Sequence, residues 1–245
     1  MPRFFLPTIG ENPVIEGPDA SHIVKSLRMR PGEALTVCDE KGTDYLCEIA
    51  AAAPGRVELR IRETRPTASE PGLHVTLYQC VPKGDKLDGV VEKAVELGVS
   101  EIVPVLSSRC VSRPDEKSMK KKVERWGKIA REAAGQSGRG ILPQVMPALS
   151  FAGCAAALQD YDLALFFYEA GGEPLRDILA AASLPEKGGR AAILIGPEGG
   201  FSPEEAGKAA AAGAKTATLG PRILRTETAP IAALAALMLL TGSLE

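Results

Sequence analysis

The sequence predicts an α/β protein in two parts: a small β domain at residues 1–70 and a domain with a mostly parallel sheet at residues 73–245. Two observations support this prediction. Before residue 66, short alternating runs are separated by turn signals, a pattern typical of a small barrel or sandwich. From residue 73 onward, strand-like runs alternate with helix-like runs, which predicts a parallel sheet with helices on both faces.

The β domain is expected to contain three strands, at 34–39, 45–49 and 57–61. Glycine-containing turns at 41–43 and 54–55 separate them. A helix is predicted at 19–27, with Asp19 or Ser21 as its N-cap. Residues 66–72 combine two prolines with Ser and Gly, so we interpret them as a linker.

The α/β domain is expected to begin with a strand and to alternate from there. Apolar residues share one face of a predicted helix at 86–97, which Gly98 ends, and recur at helical spacing over 119–134. The run Ser202-Pro203-Glu204-Glu205 is a capping box that predicts another helix, and an apolar helix begins near Pro230. The predicted strands are 73–79, 101–106, 162–167, 190–195 and 216–219.

The composition is that of a globular protein, with 245 residues, 45% hydrophobic and 24% charged. Taken alone, the formal net charge of −2 argues against a polyanionic partner. Counted by segment, however, residues 1–81 carry −2, residues 82–147 carry +4 and residues 148–245 carry −4. The local basic excess is therefore compatible with nucleic acid, and recognition is expected to depend on shape and on a local patch.

Two segments that follow predicted strands are candidates for a ligand site. In the first, the strand ending at Ile195 runs into Gly196-Pro197-Glu198-Gly199-Gly200, at the sheet edge where α/β proteins bind ligands. It lacks the spacing of a dinucleotide fingerprint or a P-loop, and a plain strand–helix turn is the alternative. The second, at 219–230, contains Arg222, Arg225 and Thr226; Glu227 or Thr228 is also able to cap the next helix.

Basic residues between 117 and 139 are candidates for contacts with phosphate. Lys121, Arg125 and Lys128 are predicted to share a helix face opposite Trp126, and a solvated face is the alternative interpretation. The following segment, 132–139, offers Gln136, Ser137 and Arg139, although a glycine-rich helix end explains it equally well.

Several classes of protein are disfavoured by what the sequence lacks. With two histidines, His22 and His74, it has no zinc motif and no nucleophile elbow, so neither a metal site nor a serine hydrolase is expected. The five cysteines are interpreted as buried apolar residues in a reducing compartment. No secretory start is visible, and the most apolar stretch, at 229–240, is too short to span a bilayer. A cytoplasmic protein is expected.

These segments together resemble the bacterial 16S ribosomal RNA (uracil-N3)-methyltransferase family of the SPOUT class. The resemblance spans nearly the whole chain. It rests on the combination of Gly196-Pro197-Glu198-Gly199-Gly200 with Leu224-Arg225-Thr226-Glu227-Thr228, and on 132–139. Residues 93–99, Arg3-Phe4-Phe5, and His22 with Leu27-Arg28 also resemble this family.

The resemblance implies a PUA-like β-barrel followed by a SPOUT-type parallel sheet with a C-terminal trefoil knot. It also implies S-adenosyl-L-methionine as cofactor, a homodimer, and methylation of one uridine in 16S ribosomal RNA of the small subunit. Arg139, Arg225 and Glu227 are the candidate catalytic residues. The candidate cofactor-binding residues are Glu169, Ile195, Gly196, Pro197, Glu198, Gly199, Gly200, Leu219, Gly220, Ile223, Leu224, Arg225, Thr226 and Thr228, and the candidate RNA-binding residues are Arg3, Arg28, Lys121, Arg125, Lys128 and Arg139.

Two alternatives stay open at this point. One is a SPOUT methyltransferase that modifies another nucleotide, for example at a ribose 2′-hydroxyl. The other is a non-catalytic RNA-binding protein of ribosome assembly, in which the cofactor loops no longer function.

Overall fold

A computed structural model of the chain describes residues 1–185 and 188–244. The chain divides into two compact units. The first contains Met1–Glu70 together with Ala134–Leu142, and the second contains the rest of the described chain. Residues 134–142 therefore leave the α/β part and join the β part, which the sequence pattern does not reveal.

The first unit is built on a five-stranded sheet with the order β1-β3-β4-β5-β2. β1 and β3 are parallel and the other pairs are antiparallel. The three predicted strands are present, and two three-residue strands, too short to alternate visibly, join them. The bounds are β1 Arg3–Phe5, β2 Val14–Glu16, β3 Ala34–Cys38, β4 Thr43–Ala53 and β5 Arg56–Pro66.

The predicted helix of the first unit begins earlier than its sequence suggests. Helix α1 covers Gly17–Ser21 and continues as a π-helical segment, His22–Ser26. The prediction of Asp19 or Ser21 as N-cap was wrong, because Pro18 already occupies the first turn, where its missing N–H costs nothing.

The second unit contains an eight-stranded sheet in which every pairing is parallel, as predicted. Its order is β11-β13-β10-β12-β6-β7-β8, with β9 also paired to β7. The five predicted strands are present, shifted by no more than one residue at either end. The bounds are β6 His74–Cys80, β7 Glu101–Leu106, β8 Gln144–Val145, β9 Leu149–Ser150, β10 Leu163–Phe167, β11 Glu173–Pro174, β12 Arg190–Ile195 and β13 Lys215–Thr218.

Six helices accompany this sheet in the described chain. The Ser202 capping box is present, with hydrogen bonds in both directions between Ser202 and Glu205. Thr228 is the N-cap residue of the last helix, but its side chain makes no capping hydrogen bond. Two short helices, α4 and α5, were not predicted from the sequence. The bounds are α2 Lys86–Glu96, α3 Glu116–Gln136, α4 Phe151–Ala157, α5 Leu175–Ala181, α6 Pro203–Ala211 and α7 Ala229–Leu240.

The path of the C-terminal chain determines where a site can form. After β12 the chain makes α6 and then β13, which pairs with β10 on the side away from β12. Helix α7 then packs against β12 and α2. Residues 219–228 must therefore cross back past β10 at the carboxyl ends of the strands. The trefoil knot itself stays a prediction.

The five cysteines are buried and free, in line with the interpretation given above. Across the described residues, none of the helices combines the length and the apolarity needed to cross a membrane. Within the same residues, no three His, Cys, Asp or Glu side chains come together in a way that could hold a metal ion.

Candidate active site

A cleft of about 640 Å³ opens in the second unit where β10, β12 and β13 end. Three loops line it: 168–171, 195–200 and 217–227. Because neighbouring parallel strands direct their carboxyl ends to one edge, the loops that follow them converge there. The two segments selected from the sequence thus form opposite parts of one cleft.

The glycine-rich loop after β12 needs its glycines for close packing. A Cβ on Gly196 would lie 2.9 Å from the ring of Phe201. Gly200 has φ +64°, and a Cβ there would meet the carboxylate of Glu169 at 1.9 Å. An alanine at 200 would therefore be strained and would displace Glu169.

Glu169, from the loop after β10, holds this glycine-rich loop in place. Its Oε1 and Oε2 accept a hydrogen bond from the backbone N–H of Phe201, at 3.0 and 3.3 Å. Arg109 adds to the contact: its Nη1 donates to the carbonyl of Gly199 at 3.0 Å and lies 3.8 Å from Glu169 Oε1. Part of the acceptor capacity of Glu169 is therefore already used by the protein.

A buried hydrogen-bond chain joins the two main cleft loops from inside. The Oγ1 of Thr226 donates to the carbonyl of Gly196 at 2.7 Å and accepts from Nε2 of Gln79 at 3.1 Å. Thr226 is 6% exposed and Gln79 is fully buried. These two hydrogen bonds fix 219–228 against the glycine-rich loop.

At the mouth of the cleft, a lysine joins the same two loops from outside. Nζ of Lys86 lies 3.0 Å from Oε1 of Glu198 and 3.3 Å from Oε2 of Glu227. Burial is the largest influence on Glu198 and opposes its ionisation, but the hydrogen bonds from Lys86 and from backbone N–H groups, with the charge of Lys86, together hold the pKa of this carboxyl below its usual value. The hydrogen bond to Glu198 also raises the pKa of Lys86, so the pair is ionised at neutral pH.

Arg222 and Arg225 also line the cleft, and both are exposed. Within residues 1–185 and 188–244, neither guanidinium is engaged in a hydrogen bond or salt bridge. The charge of Arg225 nevertheless acts on Glu227, whose pKa it helps to lower. These two cations are available to a ligand.

The cleft brings together almost all of the predicted cofactor-binding residues. Every one of them lines it except Thr228. Of the three candidate catalytic residues, Arg225 and Glu227 line the cleft. Sequence reasoning overlooked Lys86 among the lining residues, whereas Arg222 was already part of a candidate segment, although it was not assigned to the cofactor or catalytic set. The position of Lys86, in the first turn of a helix that follows a strand, was the available signal for it.

Arg139 has a different environment, in the first unit. It is 3% exposed, and its Nη2 and Nε donate to the carboxylate of Glu70 at 2.8 and 3.1 Å. The same carboxylate accepts from the backbone N–H groups of Gly140 and Ile141, at 2.7 and 3.0 Å. Arg139 is not among the cleft-lining residues; it supports the backbone of its own segment.

The predicted RNA-binding residues fall into two groups. Arg28, Lys121 and Lys128 are exposed. Arg3 is partly buried and Arg139 is buried, in salt bridges with Asp44 and Glu70 respectively, and Arg125 pairs with two carboxylates. Half of the predicted cations thus have their charge compensated within the protein.

The predicted face of α3 also needs correction at Arg125. Its Nη2 lies 2.8 Å from Asp85 Oδ1 and 2.6 Å from Asp88 Oδ1, and Nε1 of Trp126 donates to the same Asp88 oxygen at 2.9 Å. Arg125 and Trp126 therefore reach a common partner instead of facing opposite ways.

Comparison with known proteins adds independent findings. An RNA methyltransferase domain profile matches residues 69–238, and an RNA methyltransferase PUA domain profile matches residues 15–62. Ribosomal RNA small subunit methyltransferase E of Bacillus subtilis is 38% identical over 226 residues, which cover 91% of this chain and 88% of that protein. Its namesake from Mycobacterium bovis is 33% identical over 243 residues, covering 97% and 90%.

Solved structures show the same similarity. Ribosomal RNA small subunit methyltransferase E from Neisseria gonorrhoeae, bound to S-adenosyl methionine, has a TM-score of 0.84 at 33% identity and 98% coverage of both chains. A Legionella pneumophila protein in complex with the bound cofactor SAM has a TM-score of 0.85 at 31% identity, covering 97% and 96%. The predicted family and the PUA-like first domain are thereby confirmed.

Proposed function

The chain belongs to the RNA methyltransferase family in which this domain is combined with a PUA domain, and on that premise we propose that it is an S-adenosylmethionine-dependent methyltransferase of small-subunit ribosomal RNA. The observation that carries the proposal is the single cleft formed by 195–200 and 217–227. The proposed target is N3 of one uridine in 16S ribosomal RNA, as the sequence resemblance implies.

The cleft fits the cofactor in size and in chemistry. Its volume of about 640 Å³ lies within the range of small-molecule sites. Glycine backbone at 196, 199, 200 and 220 allows close approach of a ligand, and the apolar side chains Ile195, Leu219, Ile223 and Leu224 offer surface to an adenine ring. Glu169, Pro197, Glu198, Arg225 and Thr226 complete the proposed set, from which Thr228 is dropped because it does not line the cleft. When bound, the cofactor supplies a methyl group on a positively charged sulfur, which keeps the electron pair of the broken carbon–sulfur bond.

The protein's own residues must then position the uracil and remove its N3 proton. In-line displacement depends strongly on positioning, which the fixed cleft loops provide. We assign Glu227 as the proton acceptor, because it is a carboxylate that lines the cleft and its lowered pKa keeps it ionised, and so free to take up a proton, at neutral pH. The N3 electron pair released in this way forms the new bond to the methyl carbon. We assign to Arg225 the stabilisation of the negative charge that develops on the uracil.

We propose that the substrate is the small ribosomal subunit and that surfaces outside the cleft bind it. Lys121, Lys128 and Arg28 are the proposed phosphate contacts, since their charges are exposed. We further propose a homodimer, supported by the apolar α7, in which Leu239 and Leu240 are 55% and 48% exposed. Action on the assembled small subunit in the cytoplasm completes the proposal.

Calorimetric titration with S-adenosylmethionine tests the cofactor site. We expect saturable binding by the wild type and its loss in Gly200→Ala, where the added Cβ strains the backbone and displaces Glu169. Gly207→Ala is the matched control, because Gly207 lies in α6 with open space around it. Absence of binding by the wild type would instead favour the non-catalytic RNA-binding alternative.

A further inference from the structure

Lys86 is held at the cleft mouth by contacts that leave its ammonium facing two carboxylates. It is the first residue of α2, and its side chain is 36% exposed. Glu198 receives a second donor from the same turn, because the backbone N–H of Lys83 lies 3.1 Å from its Oε1. The turn before α2 thus binds the glycine-rich loop directly, while Lys86 reaches across to Glu227 in the other loop.

The neighbouring acids of this turn do not compete for Lys86. Asp85 and Asp88 are both paired with Arg125 of α3, at 2.8 and 2.6 Å. Across the described residues, the ion pairs of Lys86 are therefore confined to these two cleft carboxylates.

We propose that Lys86 is a positioning residue for methyl transfer, which fixes Glu198 and Glu227 across the cleft mouth and keeps Glu227 available as the proton acceptor. This inference rests on the proposed function. It names a residue outside the two cleft loops that acts through Glu227 instead of touching the reacting atoms.

The arrangement balances charge when the proton moves. One ammonium and two carboxylates carry a net charge of −1. When the uracil N3–H bond breaks and its proton bonds to a Glu227 oxygen, Lys86 still has Glu198 as counter-ion at 3.0 Å. A lysine paired with Glu227 alone would lose its partner at that moment, which would oppose the transfer.

Other charged groups around Glu227 must be considered before a pH effect is predicted. Lys86 comes from α2, Glu198 from the glycine-rich loop, Glu169 from the loop after β10, and Arg222 and Arg225 from its own segment. The pKa of Glu227 is lowered first by its own backbone N–H, and then by Lys86 and Arg225. Removing Lys86 takes away one of the two cations that lower it and leaves Glu198 without its lysine partner, so the pKa of Glu227 should rise.

Carboxyl titration by NMR in the cofactor-free protein tests this directly. With ¹³C-glutamate labelling, and Glu227→Gln to assign the signal, Lys86→Met should raise the pKa of Glu227 by about half a unit or more. Lys86→Arg should leave it close to the wild-type value. An unchanged Glu227 titration in Lys86→Met would overturn the proposal, whether or not the protein methylates RNA.

Kinetics supply the second readout. Lys86→Met should lower kcat about tenfold, because Glu227 is no longer fixed in place and this loss outweighs its greater basicity. It should leave KM for S-adenosylmethionine within about threefold and move the acid limb of the pH–rate profile to higher pH. Lys86→Arg should recover most of the rate. Lys208→Met is the control, since Lys208 pairs with Glu204 on α6 and does not line the cleft.

The outcomes separate the two proposals. A rise in KM with unchanged kcat and an unmoved acid limb would make Lys86 a binding residue and contradict its proposed role. A wild type that binds no cofactor and methylates no subunit would refute the proposed function, while the NMR titration would still decide whether Lys86 controls Glu227. Equal thermal unfolding of Lys86→Met and wild type checks that the variant is folded.

Discussion

Arg139 and Arg225 occupy segments that look alike in the sequence, each with glycine, hydroxyl side chains and an arginine beside a helix end. In the structure Arg139 is 3% exposed and bound to Glu70, whereas Arg225 is exposed in the cleft without a salt-bridge partner among the described residues. The difference shows that an arginine in a polar motif is equally able to support backbone or to meet a ligand. What distinguishes them is whether a carboxylate of the protein is already paired with it.

Arg139→Ala should have the largest effect, and the effect should be on stability. Removing the guanidinium leaves the carboxylate of Glu70, 14% exposed, without its cationic partner, which costs about 3 kcal/mol of unfolding free energy. Chemical denaturation measures this, and the methylation rate per folded molecule should stay within about threefold. Arg62→Ala is the control, because its pair with Glu48 is exposed and should cost about 0.5 kcal/mol or less.

The same pair predicts a dependence on pH. Burial is the largest influence on Glu70 and opposes its ionisation, but the hydrogen bonds and charge of Arg139, with the backbone N–H groups of Gly140 and Ile141, together hold its pKa below the ordinary value of 4.5. Because the folded-state pKa is the lower one, the stabilisation is fully present above about pH 4.5 and is lost as pH falls through the folded-state pKa. The stability difference between the wild type and Glu70→Gln should therefore shrink on acidification; a constant difference would argue against the ion pair.

Arg225→Ala should show the opposite profile. We expect methyl incorporation to fall about 100-fold, as for loss of one group that stabilises developing charge, with unfolding free energy changed by less than about 0.5 kcal/mol. Single-turnover incorporation at saturating cofactor is the measurement. Arg176→Ala, whose side chain is 82% exposed on α5, should match the wild type. A wild-type rate in Arg225→Ala would remove Arg225 from catalysis.

Thr226→Val should have a smaller effect, which arises from the buried hydrogen bonds behind the cleft. It removes the donor to Gly196 and the acceptor of Gln79, and should cost about 1–2 kcal/mol of unfolding free energy. Thr226→Ser keeps the hydroxyl and should retain most of the stability. If Thr226→Val and Thr226→Ser have the same unfolding free energy, the buried hydrogen bonds do not hold the loops together.

The smallest effect is expected on the basic helix. Lys121→Ala and Lys128→Ala should each reduce the salt dependence of RNA binding by about one unit of slope, since each removes one phosphate contact. Arg125→Ala should change the slope less, because Asp85 and Asp88 already compensate its charge. Filter binding over a range of salt concentrations compares the three variants with the wild type. Identical slopes for all four proteins would show that this helix face is solvated and makes no contact with RNA phosphate.

Local patterns predicted the sheet of the second unit well. Two apolar runs predicted β7 and β12 with their observed bounds, and Ser202-Pro203-Glu204-Glu205 predicted the capped start of α6. The cleft followed from these, because loops after neighbouring parallel strands meet at one edge. The short strands β1, β2, β8, β9 and β11 have too few residues to show a period.

Ion pairs between distant segments could not be predicted from the sequence. Nothing near residue 139 indicates that its partner is Glu70, and nothing near residue 125 indicates Asp85 and Asp88, since each pair forms only when distant segments fold together. Lys86 was overlooked for the same reason: its role depends on Glu198 and Glu227, more than 110 positions away in the chain. Residue type and spacing predict which chemistry is possible, whereas the partner decides whether it is available.

Mapping the product of a methylation reaction tests the central claim most directly. Small ribosomal subunits that lack the modification are incubated with methyl-labelled S-adenosylmethionine and the wild-type protein, and the labelled nucleotide is identified by nuclease digestion and mass spectrometry. We predict one labelled nucleoside, a uridine methylated at N3, and almost no label with Arg225→Ala. Label on a ribose 2′-oxygen or on another base, or none with a wild type that binds the cofactor, would contradict the account.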